Sequence, residues 1–256
     1  MKISVVTPVL NEERYIRRTV ESVLGQRGDF ELEYIVCDGG STDRTLEILA
    51  EYAGRIRLIH EQEKGPQKAI NKGMQTATGD IMGWLGADDL YLPGALDTVA
   101  GVFAKNPGLQ WLYGRGDYID EDGKVIRRPI TWYRNLLGCF YSRHVLLCEN
   151  YIAQAATFWR PELWRKAGPL NEKYVAAWDY DLWLRLGKEA RALSVRKLMI
   201  QARRHKESIS ENFYVTQFAE EYEICTRHAG RVHRMVHKFN QRKIVLAYKL
   251  LHALSK

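Results

Sequence analysis

The sequence predicts an α/β fold, a mostly parallel sheet flanked by helices and followed by a helical C-terminal tail. Two observations carry this. From Lys2 to Tyr113, short apolar runs alternate with stretches of helical periodicity in the order β-α-β-α-β-α-β. Strands separated by helices imply parallel pairing through right-handed crossovers. The second observation is that polar clusters follow three of those runs, at Pro8–Glu13, Asp38–Asp43 and Asp88–Asp89. In an open parallel sheet the carboxyl ends of the strands share one crevice, so clusters far apart in sequence converge.

Taken in order, Lys2–Thr7 is a β-branched run that stops at Pro8 and reads as a buried strand. Asn11 is a candidate cap for the next helix, where Tyr15, Ile16, Thr19, Val20 and Val23 recur at helical spacing up to Gly25. Leu32–Cys37 is the second strand, and a helix from Thr42 carries Leu46, Ile48, Leu49 and Tyr52. Ile56–His60, the helix Gln67–Thr76 and the strand Ile81–Leu85 follow, then a helix over Pro93–Phe103 and a strand at Trp111–Tyr113. The stretch Gly114–Gln154 reads as loop, with a turn at Asp122-Gly123. Helices are expected over Arg160–Gly168, Asp179–Lys188, Phe213–Arg227 and Arg231–Leu254. The organisation expected is one domain over 1–210, divided into halves 1–113 and 114–210, and a tail over 211–256.

Composition bounds the function classes. The 256 residues are 46% hydrophobic and 27% charged, ordinary for a soluble globular protein. The four cysteines lack CxxC spacing and read as free thiols in a reducing compartment. The N-terminus does not read as a signal peptide, and no apolar run approaches the length of a spanning helix. Charge is uneven. From Arg191 onward there are 14 Lys and Arg against 5 Asp and Glu, within a chain of net charge +7. The last predicted helix sets Val232, Met235, Val236, Phe239, Ile244, Leu246, Leu250 and Leu251 near one side. That pattern fits a helix packed on the core or on a second copy, or one lying on an anionic membrane. No nucleic-acid recognition motif accompanies the charge.

Several groups carry potential chemistry. Asp88-Asp89 places two carboxylates at a strand end, costly unless a cation or donors offset them; a hard divalent ion with a diphosphate is a natural partner, and an exposed turn the plain alternative. Asp38-Gly39-Gly40-Ser41 puts glycines where backbone approaches a ligand, while Ser41 or Thr42 could simply cap the next helix. Asp179, at a predicted helix start, is either a cap or a well-oriented general base. His205 among charged neighbours is surface, or faces a phosphate or metal. Lys68 and Lys72 meet phosphate or solvent, and Trp84, Trp159 and Trp183 are core or sugar platforms.

Together, Thr7-Pro8-Val9-Leu10-Asn11-Glu12-Glu13, Cys37-Asp38-Gly39-Gly40-Ser41-Thr42-Asp43, Ala69-Ile70-Asn71-Lys72-Gly73, Gly83-Trp84-Leu85-Gly86-Ala87-Asp88-Asp89, Gln154-Ala155-Ala156-Thr157-Phe158-Trp159-Arg160 and Trp178-Asp179-Tyr180-Asp181-Leu182-Trp183 resemble glycosyltransferase family 2. The resemblance runs from Ile3 to about Ser210. It implies the GT-A fold, Rossmann-like, and an inverting transfer from a nucleoside-diphosphate sugar, with UDP-sugars the first expectation. It implies that Pro8, Leu10 and Glu12 line the base and ribose, that Asp38 bonds the base, and that Asn71 and Lys72 belong to the nucleotide site. Asp88 would contact the ribose side and Asp89 would ligate Mn²⁺ or Mg²⁺. His205 would sit at the diphosphate or metal, and Asp179 would be the general base. The processive members of the family carry spanning helices and a Gln-x-x-Arg-Trp motif. Neither is seen here, so transfer of a single sugar to a glycan or polyprenyl-linked acceptor is expected, in surface polysaccharide synthesis. The expected location is cytoplasmic, with peripheral contact at the inner face of the cell membrane.

Two other classes compete. A nucleotidyltransferase should show a glycine-rich phosphate loop with Lys or Arg after the first strand, where this chain has Asn11-Glu12-Glu13. A catalytically silent binder of sugar nucleotides or lipid carriers would have no need of Asp38, Asp89 and Asp179 together.

Overall fold

The structure is a computed structural model that describes residues 1–62 and 65–254, without the side chains of 209, 210 and 245–254. The first half alternates as the periodicity predicts: β1 (Lys2–Val9), α1 (Ile16–Leu24), β2 (Glu31–Asp38), α2 (Thr45–Ala50), β3 (Arg57–His60), α3 (Pro66–Thr76) and β4 (Ile81–Trp84). β1 pairs in parallel with β2 on one side and β4 on the other, and β2 pairs in parallel with β3. The strand order reverses at β1, and in such sheets the crevice forms beyond the carboxyl ends at that point.

The second half comprises β5 (Leu90–Tyr91), α4 (Ala95–Lys105), β6 (Trp111–Ile119), β7 (Val125–Ile126), α5 (Arg128–Leu137), α6 (Arg143–Cys148), β8 (Thr157–Trp159), α7 (Pro161–Ala167), α8 (Trp178–Glu189) and β9 (Leu193–Arg203). Then come α9 (Ile209–Asn212), α10 (Tyr214–His228) and α11 (Arg231–Leu254). The sheet runs β3-β2-β1-β4-β8-β6-β9-β5, with β7 on β6. Its second half is mixed: β8 is antiparallel to β4 and β6, and β6 is parallel to β9.

Alternation along the strands divides the core into two layers. Val5, Val36 and Leu112 face α1, α2 and α4, packed with Val20, Leu49 and Phe103. Val6, Ile35, Trp84 and Trp111 face α3 and α8, packed with Ile70 and Trp183. Trp183 stacks on Trp84 at 5.5 Å and on Trp111 at 6.1 Å, and Trp159 meets Trp84 edge-on at 5.2 Å. These tryptophans are core, and they fasten α8 to the middle of the sheet.

Several expectations need correction. Gly114–Gln154 is not a loop; it holds the rest of β6, then β7, α5 and α6. α5 begins after Arg127 in the left-handed region (φ 53°) with no side-chain cap, so its start is marked only by Pro129 in the first turn. β9 was invisible because register shifts beside Arg115 break the period-two pattern of its pairing with β6. Asn11 does not cap α1. It takes a left-handed φ of 53° and its side-chain oxygen accepts from the Thr42 N–H at 2.8 Å. Nor do Ser41 or Thr42 cap α2, which starts after Arg44.

α10 and α11 pack against the elements before them, α10 on α8 and α11 on α6. Ile224, Cys225 and Ala229 of α10 share a core layer with Tyr180 and Trp183. Over residues 232–239 α11 is inverted relative to its periodicity, while Ile244 of the same stripe lines the cavity beyond β1 and β4. His237 is 1% exposed with Nδ1 3.1 Å from the Leu147 carbonyl, and His233 stacks on His144. Val232, Met235 and Phe239 instead face outward at 71%, 73% and 58% exposure. Leu246, Leu250 and Leu251, from the same expected stripe, lie outside the described side chains. Among the described residues no helix is long and apolar enough to cross a membrane.

Candidate functional site

A cavity of about 860 Å³ opens beyond β1 and β4 and is lined from both halves of the chain, a volume suited to a ligand of nucleotide size. Its first wall is the loop after β1. Pro8, Leu10 and Glu12 line it. The loop is laced to the one after β2: the Asn11 N–H donates to Ser41 Oγ at 2.9 Å, the Glu12 N–H to Thr45 Oγ1 at 2.9 Å and the Glu13 N–H to Asp43 at 3.0 Å. Asp38 is spent on its own loop. Its carboxylate accepts from the Gly40 and Ser41 amides and the Ser41 hydroxyl, with His60 Nδ1 2.7 Å away. These donors hold the Asp38 carboxyl below the usual range, against the opposing effect of burial, which is the largest single influence.

The second wall is the loop after β4, with Gly86, Asp88 and Asp89. A β-carbon on Gly86 would lie 2.9 Å from Asp88 Oδ1 and 3.1 Å from Asp89 Oδ2, so glycine there lets both carboxylates keep their places. His205, buried, sets Nε2 3.0 Å from Asp88 Oδ2, which raises the imidazole above its ordinary value. His205 and Asp89, both expected at the metal, thus meet the turn differently, His205 through Asp88. Asp89 turns inward instead and accepts the Arg203 N–H at 2.9 Å. Burial, then the charge of Asp88, holds its carboxyl well above the carboxylate range. Glu12 is pushed up to about 7 by burial, and next by Asp88. Arg203 is the organiser that sequence reasoning missed. Only 2% exposed, it donates through Nε to the Asp88 carbonyl at 3.1 Å and through Nη1 to the Asp120 and Glu121 carbonyls.

The third wall is the far side. Asp179 lies in the first turn of α8 and is not its cap, a place held by Ala177. Burial pushes its carboxyl up to about 6, opposed by the Tyr180 N–H and Asn150. Glu221 of α10 faces the same space, pushed up to about 8 by burial, with Asp179 adding to it and Asn150 among the opposing hydrogen bonds. Gln217 donates to Glu221 at 3.0 Å. Glu221 has a sequence signal in retrospect: it is a carboxylate on the stripe of α10 that also carries Ile224 and Cys225.

Three predicted nucleotide residues do not line the cavity: Asp38, held by its own loop, and Asn71 and Lys72 of α3. Asn71 is buried on α3 and brackets Leu170, donating to its carbonyl at 3.0 Å and accepting its N–H at 2.8 Å. Lys72 turns outward to Glu61 at 2.9 Å. Helical periodicity explains the last two, since the cavity-facing positions of α3 are Pro66, Ala69 and Ile70.

Residues 4–160 match the family described as Glycosyl transferase family 2. The chain belongs to glycosyl transferase family 2. The matched span ends before Asp179, so this family 2 member's third wall rests on geometry alone. The chain is 32% identical over 215 residues to the chondroitin synthase of Escherichia coli, covering 81% of this chain and 30% of the synthase. It therefore spans less than a third of that relative's length. Two solved structures share the fold. One is S. aureus TarS 1-349 in complex with UDP-GlcNAc (TM-score 0.69, 19% identity, 93% of this chain and 70% of that one). The other is a mannosyltransferase of Pyrobaculum calidifontis in complex with GDP-Man and Mn²⁺ (TM-score 0.70, 18% identity, 89% of this chain and 65% of that one). The GT-A architecture expected of the family is thus what the transferase has.

Among the described residues no cluster of three or more His, Cys, Asp or Glu side chains is poised to hold a metal by itself. The donor types at the second wall nonetheless fit a hard divalent ion shared with a diphosphate. Asp88 and Asp89 supply oxygen and His205 nitrogen, and the crowding of Glu12, Asp88 and Asp89 is a charge that a cation would relieve.

Proposed function

We propose that the chain transfers a single sugar from a nucleoside-diphosphate sugar to a hydroxyl of a glycan or polyprenyl-linked acceptor, with inversion, in surface polysaccharide synthesis. The observation that carries this reading is that one cavity joins the Asp88–Asp89–His205 wall to Asp179. The donor's base and ribose lie along Pro8, Leu10 and Glu12, beside the loop that Asp38 rigidifies, with Asp88 toward the ribose. UDP-sugars are the first candidates, as with the TarS complex, and GDP-sugars follow the mannosyltransferase complex. Mn²⁺ or Mg²⁺ bound with the diphosphate would be held by Asp89, Asp88 and His205, and supplies neutralisation of the leaving group's charge.

Asp179 is the general base. With its carboxyl at about 6 it is mostly ionised at neutral pH yet basic enough to draw a proton from an attacking hydroxyl. The acceptor oxygen bonds to the anomeric carbon as the bond to the diphosphate breaks on the opposite face, and the proton ends on Asp179. The apolar part of the cavity, with Ile130, Tyr133, Phe218 and Ile244, suits an acceptor with a lipid portion.

The test is thermal stabilisation against a panel of nucleoside diphosphates with and without Mn²⁺. Ligand that binds the folded state raises Tm by mass action. A metal-dependent shift for one nucleotide, lost in Asp89→Ala, is expected. No shift with any nucleotide at millimolar concentration would leave a silent binding protein as the better account.

A second reading concerns location. The outward stripe of α11, flanked by Arg231, Arg234, Lys238 and Arg242, supports peripheral contact with an anionic membrane from the cytoplasmic side. Vesicles containing phosphatidylserine should sediment the protein, and Met235→Glu with Phe239→Glu should release it. Equal sedimentation of both proteins would reject this contact.

A further inference from the structure

α8, the helix that carries Asp179, starts without a side-chain cap of its own. The amides leading into it are satisfied from another helix. Glu220 of α10 accepts the Val175 N–H on Oε1 at 2.7 Å, and the Ala176 and Ala177 N–H groups on Oε2 at 2.9 Å each. Three consecutive peptide planes immediately before α8 are thereby pinned to one carboxylate. Such charge-assisted bonds are the short, strong kind, and a helix N-terminus favours negative charge. The same junction is stitched again on the surface, where Lys173 meets Glu223 at 2.8 Å.

Asp179 is thus located from two directions. Behind it, Trp183 locks α8 to the sheet through Trp84 and Trp111. In front of it, Glu220 fixes the approach of the chain. The body of the helix is held without Glu220, by the tryptophans, by the buried Leu182, Leu184 and Leu186, and by Arg185 donating to the Gly168 and Pro169 carbonyls. Removal of Glu220 would free the first turn, where Asp179 sits, and leave the remainder in place. Neither Asp88, Asp89, Asp38 nor His205 has a hydrogen bond to Glu220 among the described residues, so the donor walls stand apart from this grip.

We propose that Glu220 is a positioning residue for sugar transfer: by holding residues 175–177 it sets where the Asp179 carboxylate meets the acceptor hydroxyl. This rests on Asp179 as the base. A loosened base costs turnover and leaves donor binding intact, and a misplacement near 1 Å costs on the order of 10²-fold in rate.

The experiment compares Glu220→Ala and Glu220→Gln with the control Glu223→Ala, which breaks the surface pairs to Lys173 and Arg227 and leaves residues 175–177 held. Turnover is followed as nucleoside diphosphate released from UDP-GlcNAc and GDP-mannose with Mn²⁺, nucleotide affinity by calorimetry, and backbone order by hydrogen exchange. Glu220→Ala should lower kcat on the order of 10²-fold, with the nucleotide Kd and the donor KM within about twofold of wild type. Exchange should quicken at 175–181 and nowhere on the donor walls. Glu220→Gln keeps an oxygen for two of the three amides and should fall between, while Glu223→Ala should match wild type. Unchanged exchange at 175–181 in Glu220→Ala overturns the proposal, as does a kcat equal to that of Glu223→Ala. A parallel loss of nucleotide affinity would mean general loosening and overturns it too. Asp179→Asn separates the two readings. If that variant keeps full turnover, the base assignment falls; if it is dead while Glu220→Ala is active, only the positioning role falls.

Discussion

A methyl group added at Gly86 would stand 2.9 Å from Asp88 Oδ1 and 3.1 Å from Asp89 Oδ2. Ordinary contact begins near 3.4 Å, so the first oxygen must retreat by about 0.5 Å and the second by about 0.3 Å. Neither carboxylate can move freely. Asp88 is 3.0 Å from His205 Nε2, and Asp89 is held by the Arg203 amide at 2.9 Å. Metal–ligand distances tolerate only about 0.2 Å, so the displacement exceeds what a shared ion would accept. If 1 Å costs about 10²-fold, half of it costs about tenfold, or roughly 1.4 kcal/mol. Gly86→Ala should therefore weaken UDP binding in Mn²⁺ about tenfold by calorimetry. The Tm without ligand should stay within a few degrees, since the new methyl borders a cavity and opens no void. Affinity within twofold of wild type would refute the claim that this carboxylate pair is placed for the nucleotide.

Other outcomes follow from the same geometry. Transfer should fall as pH drops through about 6, where Asp179 gains its proton, and Asp179→Asn should abolish it at every pH; a rate flat from pH 5 to 8 would contradict the assignment. Glu221 titrates near 8 folded against an ordinary 4.5, so the folded state binds the extra proton and its stability contribution falls as pH rises from about 4.5 to 8. Glu221→Gln should then be more stable than wild type at pH 8, on the order of a few kcal/mol by urea denaturation, with the gain shrinking toward pH 5; equal gain at both would contradict the burial. Asn71→Ala should cost about 1–3 kcal/mol through the orphaned Leu170 amide and carbonyl while nucleotide affinity holds. Lost affinity in a stable Asn71→Ala protein would restore the nucleotide role.

The sequence by itself determined the alternating first half, because its apolar runs and helical stripes are local patterns with fixed periods, and each period needs no knowledge of the rest of the chain. It also placed Pro8, Glu12, Asp88 and Asp89 around one opening, since strand ends in a parallel sheet share an edge, while Asp38, expected there too, is held by its own loop. It could not place Asn71 and Lys72, because adjacent residues on a helix point about 100° apart and only packing chooses which faces the cavity. Likewise, whether α11 buries its stripe depends on what α6 offers it, and the partners there are a histidine ring and a carbonyl, His144 and Leu147. Arg203, Glu220 and Glu221 were hidden for the same reason. Arg203 and Glu220 work through partners at least 43 residues away, Ala177 for Glu220 and more distant ones for Arg203, and Glu221 meets Asp179 only across the cavity; such pairings exist only once the tertiary structure has closed.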